Sequence, residues 1–405
     1  MATRSSRSSN VTCITAGCYE GGLYGWTASS DTDGTIGTPE LMWSFGAHIG
    51  AVKAVAVDEA GEILATGGED EYIKLFNLKT RTERGELFQH KGSITALAFY
   101  KSSHLLSASV DGTVCIWRTH DWLCLHVLGG HKDAVTCLAL HPSGRMALSG
   151  SKDRTLRLWN LVEGRCAYIT KPTFPKVAVI DRIEWSPSGS FYAMVAAGTL
   201  HLFDATQAGK PTPIATHVQP KRINGGKFLS DNEFVFGGDD MQLQVLSVST
   251  GAVLRRIQAD DAKARIKDIS VVFRNSAEQT NPLVVSVSSS GSVNLWDLNK
   301  EDGDDDDSSS SCLVATGAVP GSASRLTCMA VSTMTRVLDD EVGTAPKQAR
   351  SAAAADSAPV KEEDKLEEAK AKKPASTKTK ASRKPEPEAA PPSLKAKAKK
   401  QKRKL

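Results

Sequence analysis

Long apolar runs, cysteine pairs spaced for metal, and aromatic residues are all scarce in this chain of 405 residues, and each shortage removes a class of protein. No run approaches the ~18 consecutive apolar residues of a membrane-crossing helix, which argues against a helical membrane protein. The first ten residues, MATRSSRSSN, are polar, so no secretory signal is expected there. The eight cysteines, at 13, 18, 115, 124, 137, 166, 312 and 328, never stand in CxxC spacing, which speaks against a zinc site. Without a secretory signal they are expected as reduced thiols, Cys115 and Cys137 taking strand positions where a small apolar residue suffices. Aromatics make up only 6% of the chain and vanish altogether beyond about residue 340. Hydrophobic residues nevertheless reach 40% against 24% charged, enough for a large core.

What is present is a repeat. ATGGEDEYIKLFN ends at Asn77, SASVDGTVCIWR at Arg118 and SGSKDRTLRLWN at Asn160. Asp70, Asp111 and Asp153 stand 41 and 42 residues apart, and each is followed six residues later by Phe76, Trp117 or Trp159. His48, His90 and His131 keep the same beat, 42 and 41 residues apart. A period of roughly 40 to 45 residues closing on Trp-Asp or Trp-Asn marks WD40 repeats, each one a four-stranded propeller blade.

The fixed spacing has a physical reason. The Asp belongs in the tight turn before the third strand and the His in the loop entering the first. A Ser or Thr hydroxyl and the Trp indole N–H are expected to bridge the two into a buried polar chain. The third repeat supplies His131, Ser149, Asp153 and Trp159; the second, His90, Ser107, Asp111 and Trp117. The first supplies His48, Thr66 and Asp70, with Phe76 in place of the indole donor. A His, a Ser and an Asp could also form a hydrolase triad. A trio that recurs in three blades argues against this, because a catalytic site occurs once, in a cleft with an oxyanion hole. No catalytic residue, cofactor or metal site is expected.

Past Asn160 the beat decays without ending. The fourth unit, IEWSPSGSFYAMVAAGTLHLFD, places Gly198 where the Asp is expected; the fifth keeps Asp240 but has Leu246 at the Trp position. The sixth restores Trp296-Asp297 and places Ser290 at the Asp position. Near the amino terminus VTCITAG, GGLYGWT and LMWSFGA read as three strands, and RLTCMAV, from Arg325 to Val331, reads as a blade's first strand. Joining them completes a seventh blade and removes the exposed sheet edges of an open ring. The expectation is an all-β, seven-bladed WD40 propeller over residues 11–335, closed by strands from both termini. It is flanked by a disordered 1–10 and a disordered Lys-rich tail, 336–405. Residues 29–39 and the acidic stretch within 301–311, including Gly303 to Ser311, are expected as solvated insertions.

The tail is rich in Ala, Lys, Glu, Pro and Ser and cannot bury enough apolar area to offset chain entropy. From Thr344 onward 18 Lys and Arg face 8 Asp and Glu, a surplus of ten; with +4 overall, residues 1–343 carry −6. Lys395, Lys397, Lys399, Lys400, Lys402, Arg403 and Lys404 fall within ten residues, a pattern for nuclear or nucleolar targeting, for contact with RNA phosphates, or for both. Without aromatics the tail offers no base-stacking platform.

Several segments are more particular than the repeat. Gly17-Cys18-Tyr19-Glu20 with Trp26, FYKSSHLLSASVDGTVCIW, HPSGRMALSGSKDRTLRLWNLVEGRCAYI, IEWSPSGSFYAM, RIKDI and RLTCMAV resemble the PAK-interacting protein family of WD40 proteins over nearly the whole ring. Departures lie in the fifth and sixth units, where Asp260-Asp261 replaces a His. The resemblance implies a nucleolar, nuclear factor for assembly of the large (60S) ribosomal subunit and for pre-rRNA processing. The implied partners are pre-60S ribosomal proteins and assembly factors, with pre-rRNA as a partner for the tail. Animal members also bind and restrain p21-activated kinases. No membrane partner is implied, and the chain is expected to be a monomer within a larger assembly.

Overall fold

The computed structural model describes residues 8–29, 36–172, 179–207, 211–258, 264–273, 282–298, 312–319 and 324–337, with side chains omitted at 8–10 and 334–337. Asp260-Asp261, the acidic stretch at 301–311, most of the 29–39 insertion and the whole Lys-rich run from Lys395 to Lys404 lie outside the described residues.

Among the described residues twenty-eight strands form seven four-stranded antiparallel sheets. Blade one runs Val52–Val57, Ile63–Gly68, Ile73–Asn77 and Thr82–Leu87, in spatial as in chain order. Blades two to six repeat that plan, with first strands Ile94–Tyr100, Val135–Leu140, Ile180–Trp185, Ile223–Phe228 and Ile266–Phe273. Blade seven takes its first strand, Leu326–Val337, from late in the chain and the other three, Ser8–Cys18, Gly22–Ser29 and Glu40–Gly46, from its start. The closing pairing is long, from Ser8↔Val337 to Cys18↔Leu326. First strands contact one another in cyclic order, Leu326–Val337 meeting both Ile266–Phe273 and Val52–Val57. The described residues form a seven-bladed β-propeller shut by pairing of an early strand with a late one.

Burial along each blade explains the composition of its strands. Second strands are covered on both faces, as in Ile63–Gly68 and Met146–Ser151, where every residue after the first is buried. Outermost strands such as Thr82–Leu87 are mostly exposed and polar. Two register shifts recur in all seven blades: one at the start of the first strand, as between Val52 and Ala54, and one where the third strand reaches the Trp position, as between Leu158 and Trp159. Such bulges add local twist; the large apolar side chain at the second one packs on the preceding blade's sheet, as Trp159 does on Leu106, Val114 and Ile116.

Neighbouring blades meet at a joint that repeats seven times. The first residue of each first strand, Val52, Ile94, Val135, Ile180, Ile223, Ile266 or Leu326, is buried against one position on the preceding blade's second strand. That position is Gly17, Gly67, Gly150 or Gly237 in four blades. A Cβ built there would fall 2.6 Å from Val52 Cγ1, 2.4 Å from Ile94 Cγ2, 2.6 Å from Ile180 Cγ2 and 2.9 Å from Ile266 Cδ1. In the remaining three it is Ala108, Val195 or Val287, each sharing an apolar cluster with its opposite number Val135, Ile223 or Leu326.

Gly150→Ala is therefore expected to lower stability by about 1–3 kcal/mol through overpacking against Ile180. Gly46→Ala, where a Cβ meets nothing within 4 Å, is expected to be near neutral. Thermal melts of the two variants check the difference. Deleting residues 325–405, which removes the closing strand, is expected to abolish cooperative unfolding by circular dichroism.

Candidate functional site

The most ordered polar chemistry lies in blades one to three. In blade three the loop ahead of Val135–Leu140 carries His131, the second strand Ser149, the turn after it Asp153 and the third strand Trp159. Trp159 Nε1 donates to Ser149 Oγ (2.8 Å), Ser149 Oγ lies 2.7 Å from His131 Nε2, and His131 Nδ1 lies 3.0 Å from Asp153 Oδ2. Blade two repeats the chain through Trp117, Ser107, His90 and Asp111 at 2.8, 2.8 and 3.1 Å. In blade one Thr66 Oγ1 lies 2.8 Å from His48 Nε2 and His48 Nδ1 2.9 Å from Asp70 Oδ1, while Phe76 sits where the indole would be. The imidazole, and not the hydroxyl and indole, is thus the bridge: Asp and Trp stand at opposite ends. The order closes without a leftover donor only with a neutral imidazole, Nδ1–H donating to Asp and Nε2 accepting from the hydroxyl.

Each Asp also holds its turn. Asp153 accepts from the backbone N–H of Lys132 (2.9 Å) and Thr155 (2.8 Å) and from Thr155 Oγ1 (2.6 Å). Asp111 does the same with Lys91 and Thr113. Thr113 and Thr155 were missed as network members, although Asp-x-Thr is visible in both repeats. Burial alone would raise the Asp153 carboxyl; the Thr155, Lys132 and His131 hydrogen bonds outweigh it and hold it well below the ordinary range. Burial pushes His48, His90 and His131 below the ordinary imidazole value, their Asp partners opposing this in part. Ser107 and Ser149 are fully buried and already accept an indole N–H, so neither hydroxyl is presented as a nucleophile.

The later blades keep the positions and change the chemistry. In blade four Ala196 pairs with Thr199, leaving Ala197-Gly198 as a two-residue turn with both φ positive. The turn is one residue shorter than in blade three, and the position six before Phe203 is Ala197 and not Gly198. Met194 stands at the hydroxyl position, and Tyr192 stacks on Phe203 at 4.7 Å. In blade five Gln219, four residues before Ile223 as His131 is before Val135, takes the His place: its Nε2 donates to Asp240 (2.6 Å), which also accepts from Gln244 (2.7 Å). Blade six keeps the Trp296 to Ser286 bond at 2.9 Å and replaces the carboxylate with contacts among Ser288, Ser290 and Ser292. In blade seven Ala16 stands at the hydroxyl position, and the buried Trp26 Nε1 has no partner among the described residues.

A second polar assembly lines the central channel around a cavity of about 390 Å³. Arg182 of blade four reaches Asp268 of blade six at 2.9 Å, passing Gly225 of blade five, where a Cβ would lie 2.8 Å from Ile269 N. Asp268 also accepts from Met329 N at 2.9 Å, tying blade six to blade seven. Lys227 meets Glu184 at 2.5 Å and Lys53 meets Glu69 at 2.7 Å, so these channel cations are already engaged. Among the described residues no group of three or more His, Cys, Asp and Glu could hold a metal ion. Burial pushes the Cys137 and Cys328 thiols up to about 12, which leaves them protonated and inert.

Asp153→Ala is expected to cost about 1–3 kcal/mol. The groups left short are the Lys132 and Thr155 N–H and the Thr155 hydroxyl, while His131 Nδ1 keeps Thr155 Oγ1 at 3.2 Å and the Trp159 to Ser149 bond survives. A depressed histidine takes up its proton more readily when unfolded. The stability that His48, His90 and His131 contribute is therefore present above about pH 6.5 and lost as pH falls through their folded values. Melting temperature is expected to drop between pH 7.5 and pH 5.5; a flat or rising profile would show that these imidazoles are charged in the folded ring.

Comparison with known proteins places this geometry. The model of the WD domain, G-beta repeat, matches residues 39–77, 81–118 and 122–160, the units that carry the three networks. The chain is 37% identical over 320 residues to the p21-activated protein kinase-interacting protein 1-like of Gallus gallus, covering 78% of this chain and 79% of the relative. It is 32% identical over 324 residues to p21-activated protein kinase-interacting protein 1 of Homo sapiens, covering 78% and 76%. Protein MAK11 of Saccharomyces cerevisiae is 38% identical over 152 residues, 33% of this chain and 36% of the relative. The chain belongs to the PAK-interacting protein family of WD40 proteins.

Proposed function

We propose that this chain is a noncatalytic WD40 scaffold that acts in the nucleolus in assembly of the large (60S) ribosomal subunit and in pre-rRNA processing. The observation that carries the reading is the division of charge within one chain: −6 over residues 1–343 and a surplus of ten cations from Thr344 onward. A rigid acidic ring suits protein partners such as pre-60S ribosomal proteins and assembly factors, while a Lys-rich segment suits phosphate backbones and nuclear import. The family resemblance supports the same role. A p21-activated kinase as partner is the second reading, favoured by the names of the chicken and human relatives.

Depleting the protein is expected to lower free 60S subunits and to accumulate large-subunit precursor RNA; unchanged levels of both would defeat the assembly role. Deleting residues 394–405 is expected to reduce nuclear enrichment or RNA retention with the melting temperature unchanged.

A further inference from the structure

One sector of the ring, on the face that carries the Asp turns, exposes large apolar side chains where loops of blades seven, one and two adjoin. Ile49 is 89% exposed, Phe88 73% and Tyr19 53%, with Tyr72 and Val110 also exposed. They are neighbours. Ile49 and Tyr72 both donate a backbone N–H to Asp70, at 3.1 and 3.4 Å. Tyr72 directly precedes Ile73, which pairs with Leu87, so Phe88 lies across from Tyr72. Gly21, in the turn that carries Tyr19, approaches the backbone of His48 and Gly50 too closely to bear a Cβ. Ser93 O accepts from Val110 N, and Ser93 Oγ contacts Glu69 O. Side chains this exposed contribute nothing to the ring's own core, and a cluster of them on a soluble protein marks a contact surface.

The charge around the cluster selects its occupant. The pairs Glu69–Lys53 and Glu20–Arg325 are each neutral, and Asp70 and Asp111 face inward to His48 and His90, so the sector keeps a net negative charge against Lys91, with Glu71 as an exposed carboxylate outside these pairs. Glu71 is held at φ 72, the left-handed region that Gly112 occupies at the same place in blade two and Arg154 and Met241 in blades three and five. The carboxylate thus stands at a position where glycine would be the less strained choice.

We propose that this sector docks a basic, amphipathic segment of a protein partner, its apolar side chains seated on Ile49, Tyr72 and Phe88 and a cation on Glu71, within the sector's net negative charge. The proposal rests on the reading of the ring as a protein-binding scaffold, but its test does not involve ribosome assembly, so the two fail separately.

The test titrates the full chain with two synthetic helical peptides of about 18 residues, one patterned from Leu and Lys and the other from Leu and Glu in the same order. The Leu-Lys peptide is expected to bind with micromolar Kd and to weaken about tenfold in the Ile49→Ser, Phe88→Ser double variant. Glu71→Gly is expected to weaken binding without lowering the melting temperature, which a loss of folding could not mimic. Equal binding of the two peptides, or binding indifferent to both variants, would overturn the proposal. So would binding that appears only after residues 342–405 are deleted, which would make the chain's own tail the occupant. A dimer that Ile49→Ser dissociates in sedimentation would also overturn it, since a second copy would then cover the face.

Discussion

The joint between neighbouring blades is the interaction on which the rest of this ring depends. A β-branched or leucine side chain at the head of each first strand is buried against one small or aliphatic position on the sheet before it. Glycine at four of those positions lets backbone and side chain approach within the reach of a missing methyl group. Each blade alone could not bury both faces of its sheet; stacked seven times around a closed circle, every face is covered. Closure by Leu326–Val337 matters for the same reason, because without it two faces and a long sheet edge would meet water.

The polar chains of blades one to three act within their own blades. They fix the loop before the first strand to the turn before the third and satisfy buried donors that the sharp turn would otherwise leave unpaired. Where they fade, the same space is filled differently. Blade four shortens the turn and stacks Tyr192 on Phe203, blade five lets two glutamines meet Asp240, and blade six substitutes serine hydroxyls. The joint is present in all seven blades, the full Asp–His–hydroxyl–indole chain in two.

The repeat made the fold legible, because a period near 41 residues and a terminal Trp impose themselves on the eye, and because three stray strands and one late one have a single way to close. The order of atoms inside the networks was less legible: composition shows which residues recur, but only geometry shows that the imidazole stands between carboxylate and hydroxyl. The shortening of the fourth turn, which puts Ala197 at the Asp's distance from Phe203, is hidden until the Ala196↔Thr199 pairing is seen. Gln219 escapes a search for His, although it stands at the same distance from its strand. The Arg182 to Asp268 contact had no signal of its own, since the two residues lie on different blades, with Gly225 of the blade between them close against the Asp268–Ile269 backbone. Two segments that carry the family resemblance, RIKDI and the stretch beginning IEW, nevertheless converge here through Asp268 and Glu184.

A scaffold held in this way keeps its faces rigid while their loops vary, an arrangement suited to binding. The central claim is that the blade joints, and not the Asp networks, hold the ring together. Hydrogen–deuterium exchange on the intact chain tests it most directly. Amides of the second and third strands are expected to be protected to a similar degree in all seven blades, including blade four, which lacks the Asp. Exchange in blades four to six much faster than in blades one to three would contradict it.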